Sequence, residues 1–452
     1  VYLILCSTKI SGDYSTYKAM ANIPHEKTLD SSISLLKEGY PFLQHRMQRF
    51  NSNIFRTRLM GEKAICIHGE EATRILYDNE KFTRIGALPK LVQKTLVGEN
   101  GVQTTDDKAH RHRKEMFMSL MTPGRIDELM GHFVHYWEAY LRKWEGMPEI
   151  VLHDDMQEIL CLSACKWAGV PLQPLEVRRR AREFGAMVDG FGTISARHWR
   201  GRTARKSSEK WMRSIIKQIR KFNLTPEQGT AASVIAWHRD HKGNLLSPQI
   251  AAVELMNIIR PIVAIATYIA FVAHALHKFP ENRRRIQQEG DDFAALFVQE
   301  VRRFYPFTPF LGGRVRSKFT WKGHKFSKGT LVLLDVYGNL HDPEQWPNPE
   351  KFNPDRFKNK EINPYNFTPQ GGGDFYQNHR CAGEWITIET MKTAATVLAS
   401  CLEYEVPEQD LTIDHSRIPT RPGDGFVMSN IRKVADLPIK KGGEGRCPYH
   451  FG

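Results

Sequence analysis

Cys381 ends a glycine-rich stretch, QGGGDFYQNHRCAGE (370–384), and stands where a helical apolar pattern begins. A thiol placed there meets the positive end of a helix dipole and free backbone N–H groups, which favour the thiolate. A thiolate is a metal ligand or a nucleophile. Gly371, Gly372 and Gly373 allow close backbone approach to a flat ligand, and Gly383 gives the same freedom just past the sulfur. His379 and Arg380 can bind anionic groups beside it. Alone, this element reads equally well as an inert cysteine at a helix start. Glu300 and Arg303, in QEVRRF, stand at i, i+3 on one predicted helix and can pair. Arg356, in FNPDRF, is a candidate third member. Upstream, AHRHRK offers His110, Arg113 and Lys114, with His110 and Lys114 on one helix face at i, i+4. A solvated basic face is the plain alternative. An HxH zinc site lacks a third ligand.

Arg260 interrupts an apolar run, IIRPIVAIA. A guanidinium inside such a helix is costly unless an anion meets it. Glu254 or an anionic group of a cofactor could serve as well as a substrate. Pro261 removes one backbone hydrogen bond and is expected to kink the helix.

These groups need a large scaffold to bring them together. The chain has 452 residues, of which 41% are hydrophobic, 10% aromatic and 25% charged, an ordinary globular composition that excludes a disordered, collagen-like or coiled-coil chain. The net charge of +14 suits an anionic partner, whether nucleic acid, acidic lipid or a carboxylate substrate. The seven cysteines are scattered, and no CxxC pair suggests a thiolate zinc site or an iron–sulfur cluster. Helical spacing of apolar residues dominates from 109 to about 221. A longer helix opens at Ser247-Pro248, an N-cap and N1 pair, and runs to Phe279. Its uncharged part, 261–277, sits at the lower edge of a membrane span. The interruptions by Thr267, Tyr268, His274 and His277 favour a buried core helix, hence no integral membrane insertion. Strands are expected near 54–60, 64–68, 319–337, 403–406 and 425–429, with a turn at Lys322-Gly323. Residues 1–19 read as an N-terminal extension ahead of Met20. Residues 20–434 read as a single domain, and the Gly-rich 435–452 as a flexible tail. With no export signal, the expected compartment is cytoplasmic. The basic stretch ARHWRGRTARK (196–206) raises a nucleic-acid-binding alternative, but it carries no binding fold, so no nucleic-acid partner is expected.

The ordered set of ExxR helix, Pro-x-Arg-Phe segment and Gly-rich-loop cysteine resembles the cytochrome P-450 haem-thiolate superfamily. The resemblance implies a mainly α fold with a smaller β portion. It makes Cys381 the proximal iron ligand of haem b, and Glu300, Arg303 and Arg356 a structural network behind the haem. His110 and Lys114 match in place the residues that commonly hold a propionate. Two departures narrow the match. Arg260-Pro261 replaces the acid–alcohol pair of oxygen-activating members, and the glycines sit farther upstream of the cysteine. Both resemble the hydrogen-peroxide-dependent fatty-acid peroxygenases. ALPKLVQKTLVGENGVQ, FGTISARHWRGR, QEVRRFYPFTPFLG and HRCAGEWITIE support that branch, over about Met20 to Arg432. The branch implies hydrogen peroxide as co-substrate, a long-chain fatty acid as substrate and no required redox partner. It implies a carboxylate paired to Arg260 as general acid–base, with oxidation at the α or β carbon. Gln103 matches the position where hydroxylating members carry Gln, which implies minor decarboxylation to terminal alkenes. Val97, Phe191, Thr308, Phe310 and Leu311 are candidate pocket walls, or ordinary packing. An oxygen-dependent monooxygenase served by a redox partner is the competing reading.

Overall fold

The computed structural model describes residues 23–438. Residues 1–22 and 439–452, with Cys6, Met20, Cys447, the expected 1–19 extension and most of the expected 435–452 tail, lie outside the described residues. Helices dominate, as the apolar spacing predicts, and the sheets are small.

The central element is the helix Pro248–Lys278. Ser247 caps it by accepting from the Ile250 N–H at 3.2 Å, and Pro248 occupies its first turn. Its 31 residues span about 46 Å at 1.5 Å per residue. By length and apolarity it could cross a membrane, yet 89% of its most apolar window is buried inside the protein. It packs against the helices Leu152–Ala168, Ala196–Arg220 and Glu384–Thr396. The helix continues through Pro261. The cost is local, because Pro261 has no N–H to give the carbonyl of Asn257 one turn back.

Five strands form the main sheet in the order Ile54–Leu59, Glu62–Ile67, Leu331–Asp335, Phe310–Val315 and Phe82–Thr83. Only Glu62–Ile67 with Leu331–Asp335 is parallel. Lys322 and Gly323, both at positive φ, turn the hairpin Phe319–Trp321 and His324–Phe326 as expected. A second sheet orders Glu149–Val151, Val427–Lys433 and Leu402–Glu405. The basic stretch 196–206 is the first part of the Ala196–Arg220 helix, with Gly201, Ala204 and Arg205 facing the core.

The ExxR residues and Arg356 are joined in one network. Glu300 and Arg303 pair bidentately at 2.8 and 2.9 Å, with both residues fully buried. Arg303 also donates to the carbonyls of Leu340 and Pro349. Arg356 Nε reaches Glu300 at 3.1 Å, and its Nη atoms donate to the carbonyls of Pro347, Asn348 and Lys351. The Asn353 N–H adds a further donor to Glu300. One carboxylate thus ties the helix Asp291–Phe304 to the irregular, Pro-rich segment leading to the cysteine loop.

Candidate active site

Cys381 lies where that loop enters the helix Glu384–Thr396. Its N–H donates to the Gln370 carbonyl at 3.1 Å, and its Sγ receives the Gln370 Nε2 at 3.8 Å. The three loop glycines serve the loop itself. A Cβ on Gly371 would lie 3.0 Å from the Tyr77 hydroxyl, and one on Gly372 would lie 2.5 Å from the Pro364 carbonyl oxygen. Gly383 differs, since a Cβ there would meet nothing within 4 Å. Open space therefore lies beside the residue two positions past the sulfur. Burial, the largest influence, holds the uncoordinated thiol above its ordinary range. Lys114 and the Gly383 N–H pull the other way without prevailing. A coordinating metal would deprotonate it outright.

Lys114, 5% exposed, donates from Nζ to the Arg380 carbonyl. Burial lowers it to about 8, while Cys381 opposes the shift. His110 stacks on His379 with centroids 3.9 Å apart. His379 Nε2 in turn lies 3.3 Å from Asp106. Burial, the largest influence, brings His110 down to about 2 and His379 to about 4, although Asp106 opposes the shift at His379. Arg113 is placed elsewhere than expected. It donates to Glu254 and to the Asn100 carbonyl, both at 3.0 Å, so its charge is already answered.

That pairing removes the alternative partner for Arg260. Glu254 is fully buried and holds Arg113 and Asn257, not Arg260. Arg260 is 7% exposed, its Nε is buried without a partner, and no carboxylate among the described residues pairs with it. Burial lowers it to about 9 and Arg205 adds to the shift, while Cys381 is near enough to act in the opposite sense. It remains a cation at neutral pH, close enough to the sulfur for their charges to interact. Gln103 Oε1 accepts from Asn257 Nδ2 at 3.2 Å, one helical turn before Arg260. Val97 is buried at the end of the short helical turn Gln93–Val97.

The remaining candidates are placed in packing clusters. Phe191 packs beside Tyr40, Tyr337 and Ile418. Phe310 packs on the cluster of Phe42, Phe55 and Leu333, and Leu311 lies between two other clusters. The structure also shows a buried set that the sequence reading missed. Glu384 pairs with Arg302 and, at 2.8 Å, with Arg380 Nε. The adjacent arginines of QEVRRF were the available signal, each serving a different carboxylate.

The cysteine, the open space at Gly383, the basic residues around Arg380 and an unanswered cation within electrostatic reach of the sulfur together fit a haem. Comparisons with known proteins agree. The cytochrome P-450 family model matches residues 293–427. Luvungin A synthase of Citrus sinensis is 23% identical over 76% of this chain and 77% of its own length. Solved structures are nearer. A variant of cytochrome P450SP alpha (CYP152B1) is 46% identical with a TM-score of 0.88, over 90% of this chain and 100% of that one. Cytochrome P450EX alpha (CYP152N1), solved with myristic acid, is 43% identical with a TM-score of 0.89, over 91% of this chain and 100% of that one. A variant of cytochrome P-450 OleT in complex with arachidonic acid is 36% identical with a TM-score of 0.89, over 92% and 100%. The chain belongs to the cytochrome P-450 family. The family implies haem and an oxidoreductase, and within the family the chain is similar to the CYP152 proteins named above.

Proposed function

We propose that the protein hydroxylates long-chain fatty acids at the α or β carbon, using hydrogen peroxide directly. One observation carries this reading: a buried, charged Arg260 without an anionic partner among the described residues stands on the central helix, close enough to Cys381 for the two charges to interact. An unanswered cation in that position calls for an anion from outside the chain. The similar structures that hold myristic and arachidonic acid support a fatty acid as its source.

Cys381 would hold the haem iron, with Lys114, His110, His379 and Gly383 around it, and Glu300, Arg303 and Arg356 keeping the loop in place. Bound there, haem supplies the oxidising chemistry of the family, which a thiolate ligand favours by its electron donation. The chain's own part is positioning and proton control. Arg260 binds the substrate carboxylate bidentately and fixes the head of the chain. The carboxylate takes a proton from one peroxide oxygen and returns it to the other, which leaves as water. The remaining oxygen enters the C–H bond, so peroxide and acid give hydroxy acid and water. Pro261 follows Arg260 and leaves the Asn257 carbonyl free of its helical bond. Gln103, hydrogen-bonded to Asn257, offers an amide rather than a titrating ring, which favours hydroxylation over decarboxylation.

The test uses purified haem-loaded protein with myristate. Hydrogen peroxide alone is expected to yield 2- and 3-hydroxymyristate by mass spectrometry. Products that form only with NAD(P)H, air and a reductase would replace this reading with the redox-partner monooxygenase.

A further inference from the structure

Arg205, carried by the helix Ala196–Arg220, has no part in the mechanism above, yet it is only 2% exposed. Its Nε donates to Glu209 at 2.6 Å, and its Nη1 donates to the Leu96 carbonyl at 2.6 Å. Glu209 also accepts from Gln249 Nε2 at 2.7 Å, which ties it to the first turn of the central helix. Nη2 is buried without a hydrogen-bond partner among the described residues. No side chain fits between it and Gly98. A Cβ there would lie 2.2 Å from Nη2 and 2.6 Å from Val253 Cγ1, and the φ of +82° itself favours glycine. Val97 is thus bracketed by the guanidinium, at the carbonyl before it and at the bare Cα after it. Val253, Asn257 and Arg260 stand at i, i+4 and i+7 and share one face of the central helix. The loop packs on that face again at Gly101, whose Cβ would lie 3.1 Å from Val253 Cγ1 and 3.0 Å from Asn257 Nδ2. Arg205 is also close enough to Arg260 for their charges to interact. A buried guanidinium with an unpaired N–H is a costly brace. An apolar side chain would pack there at less cost but could not fix the Leu96 carbonyl.

We propose that Arg205 is a positioning residue for the substrate: it clamps residues 96–98 against the face of the central helix that bears Arg260, and through Val97 it sets which carbon of the fatty acid is presented for oxidation. The proposal rests on fatty-acid hydroxylation as the reaction. Arg260 holds the head of the chain, and the wall beside it decides how the first carbons lie. A small displacement of that wall changes the attack geometry more than it changes binding.

The experiment compares haem-loaded wild type, Arg205→Lys and Glu209→Gln. It reads the products formed from myristate and hydrogen peroxide, and the amide hydrogen exchange of residues 93–98 without substrate. Arg205→Lys keeps the charge but loses the fork that spans Glu209 and Leu96. It is expected to speed exchange of the segment about tenfold. The ratio of 2- to 3-hydroxymyristate should change about threefold or more, and kcat should fall about tenfold. KM for myristate should stay within about twofold, because Arg260 still holds the carboxylate. Glu209→Gln, which frees one end of the guanidinium, is expected to give part of each change. A merely structural role would lower the unfolding midpoint without moving the product ratio. A wild-type ratio or wild-type exchange in Arg205→Lys overturns the proposal. If Arg205→Lys does not retain haem, a wild-type ratio and exchange in Glu209→Gln overturn it instead. A wild type that forms no hydroxymyristate with peroxide overturns the proposed function itself, a result distinct from an unchanged ratio.

Discussion

Arg260 is the residue at which stability and function should move in opposite directions. Its guanidinium is buried at 7% exposure with Nε unpartnered, so the ligand-free fold carries an uncompensated charge. Leaving such a charge unpaired costs about 3–5 kcal/mol in measured cases. Arg260→Leu removes it and keeps apolar volume on a helix whose other faces are apolar. A net gain of about 2–4 kcal/mol in unfolding free energy is expected for the ligand-free, haem-loaded protein. Binding should suffer. A bidentate carboxylate contact uses two charge-assisted hydrogen bonds at about 1.5–3 kcal/mol each, so fatty-acid affinity should fall about 10²- to 10⁴-fold. Urea titration of the ligand-free proteins reads the first quantity. Myristate titration followed by the haem absorption band reads the second. A lower urea midpoint for Arg260→Leu would show that the guanidinium has a protein partner. Unchanged myristate affinity would show that it is not the anchor.

Glu300→Gln leaves Arg303 and Arg356 facing a neutral amide in a buried network, so a loss of about 3–5 kcal/mol and weaker haem retention are expected, read by urea midpoint and by haem transfer to an acceptor globin. A midpoint within error of wild type would sink the network's structural role. His68 supplies a pH signature. Its Nε2 lies 3.4 Å from Asp342 and its Nδ1 3.4 Å from Asp335. Burial opposes its protonation, yet the two carboxylates together raise it from 6.5 to about 9. A raised folded value stabilises fully below about pH 6.5, and the contribution disappears as pH climbs through about 9. The stability difference between wild type and His68→Gln should therefore be largest near pH 6, at about 3 kcal/mol, and shrink toward pH 9.5. A difference that grows with pH would contradict the charged-histidine assignment.

What could be read from the residues depended on how local the signal was. The central helix was legible because its start is a Ser-Pro capping pair and its body a long, mostly apolar run. The Glu300–Arg303 pair was legible because its members are three residues apart, and Arg356 because its Pro-x-Arg-Phe context accompanies them. Arg113 was not, because its partner Glu254 is 141 residues away and no spacing rule connects them. Phe191, Phe310 and Leu311 illustrate the same limit: an aromatic or leucine near a site motif is as well suited to neighbouring clusters, and topology decides. The Glu384–Arg302–Arg380 set was hidden because ExxR explains only one of two adjacent arginines.

The central claim is that the substrate's own carboxylate, held by Arg260, moves the proton of the peroxide. Myristic acid and its methyl ester, each given to the haem-loaded enzyme with hydrogen peroxide alone at saturating concentration, test it directly. The acid should be hydroxylated next to its carboxyl group and the ester left unoxidised. Equal turnover of the ester would contradict the account.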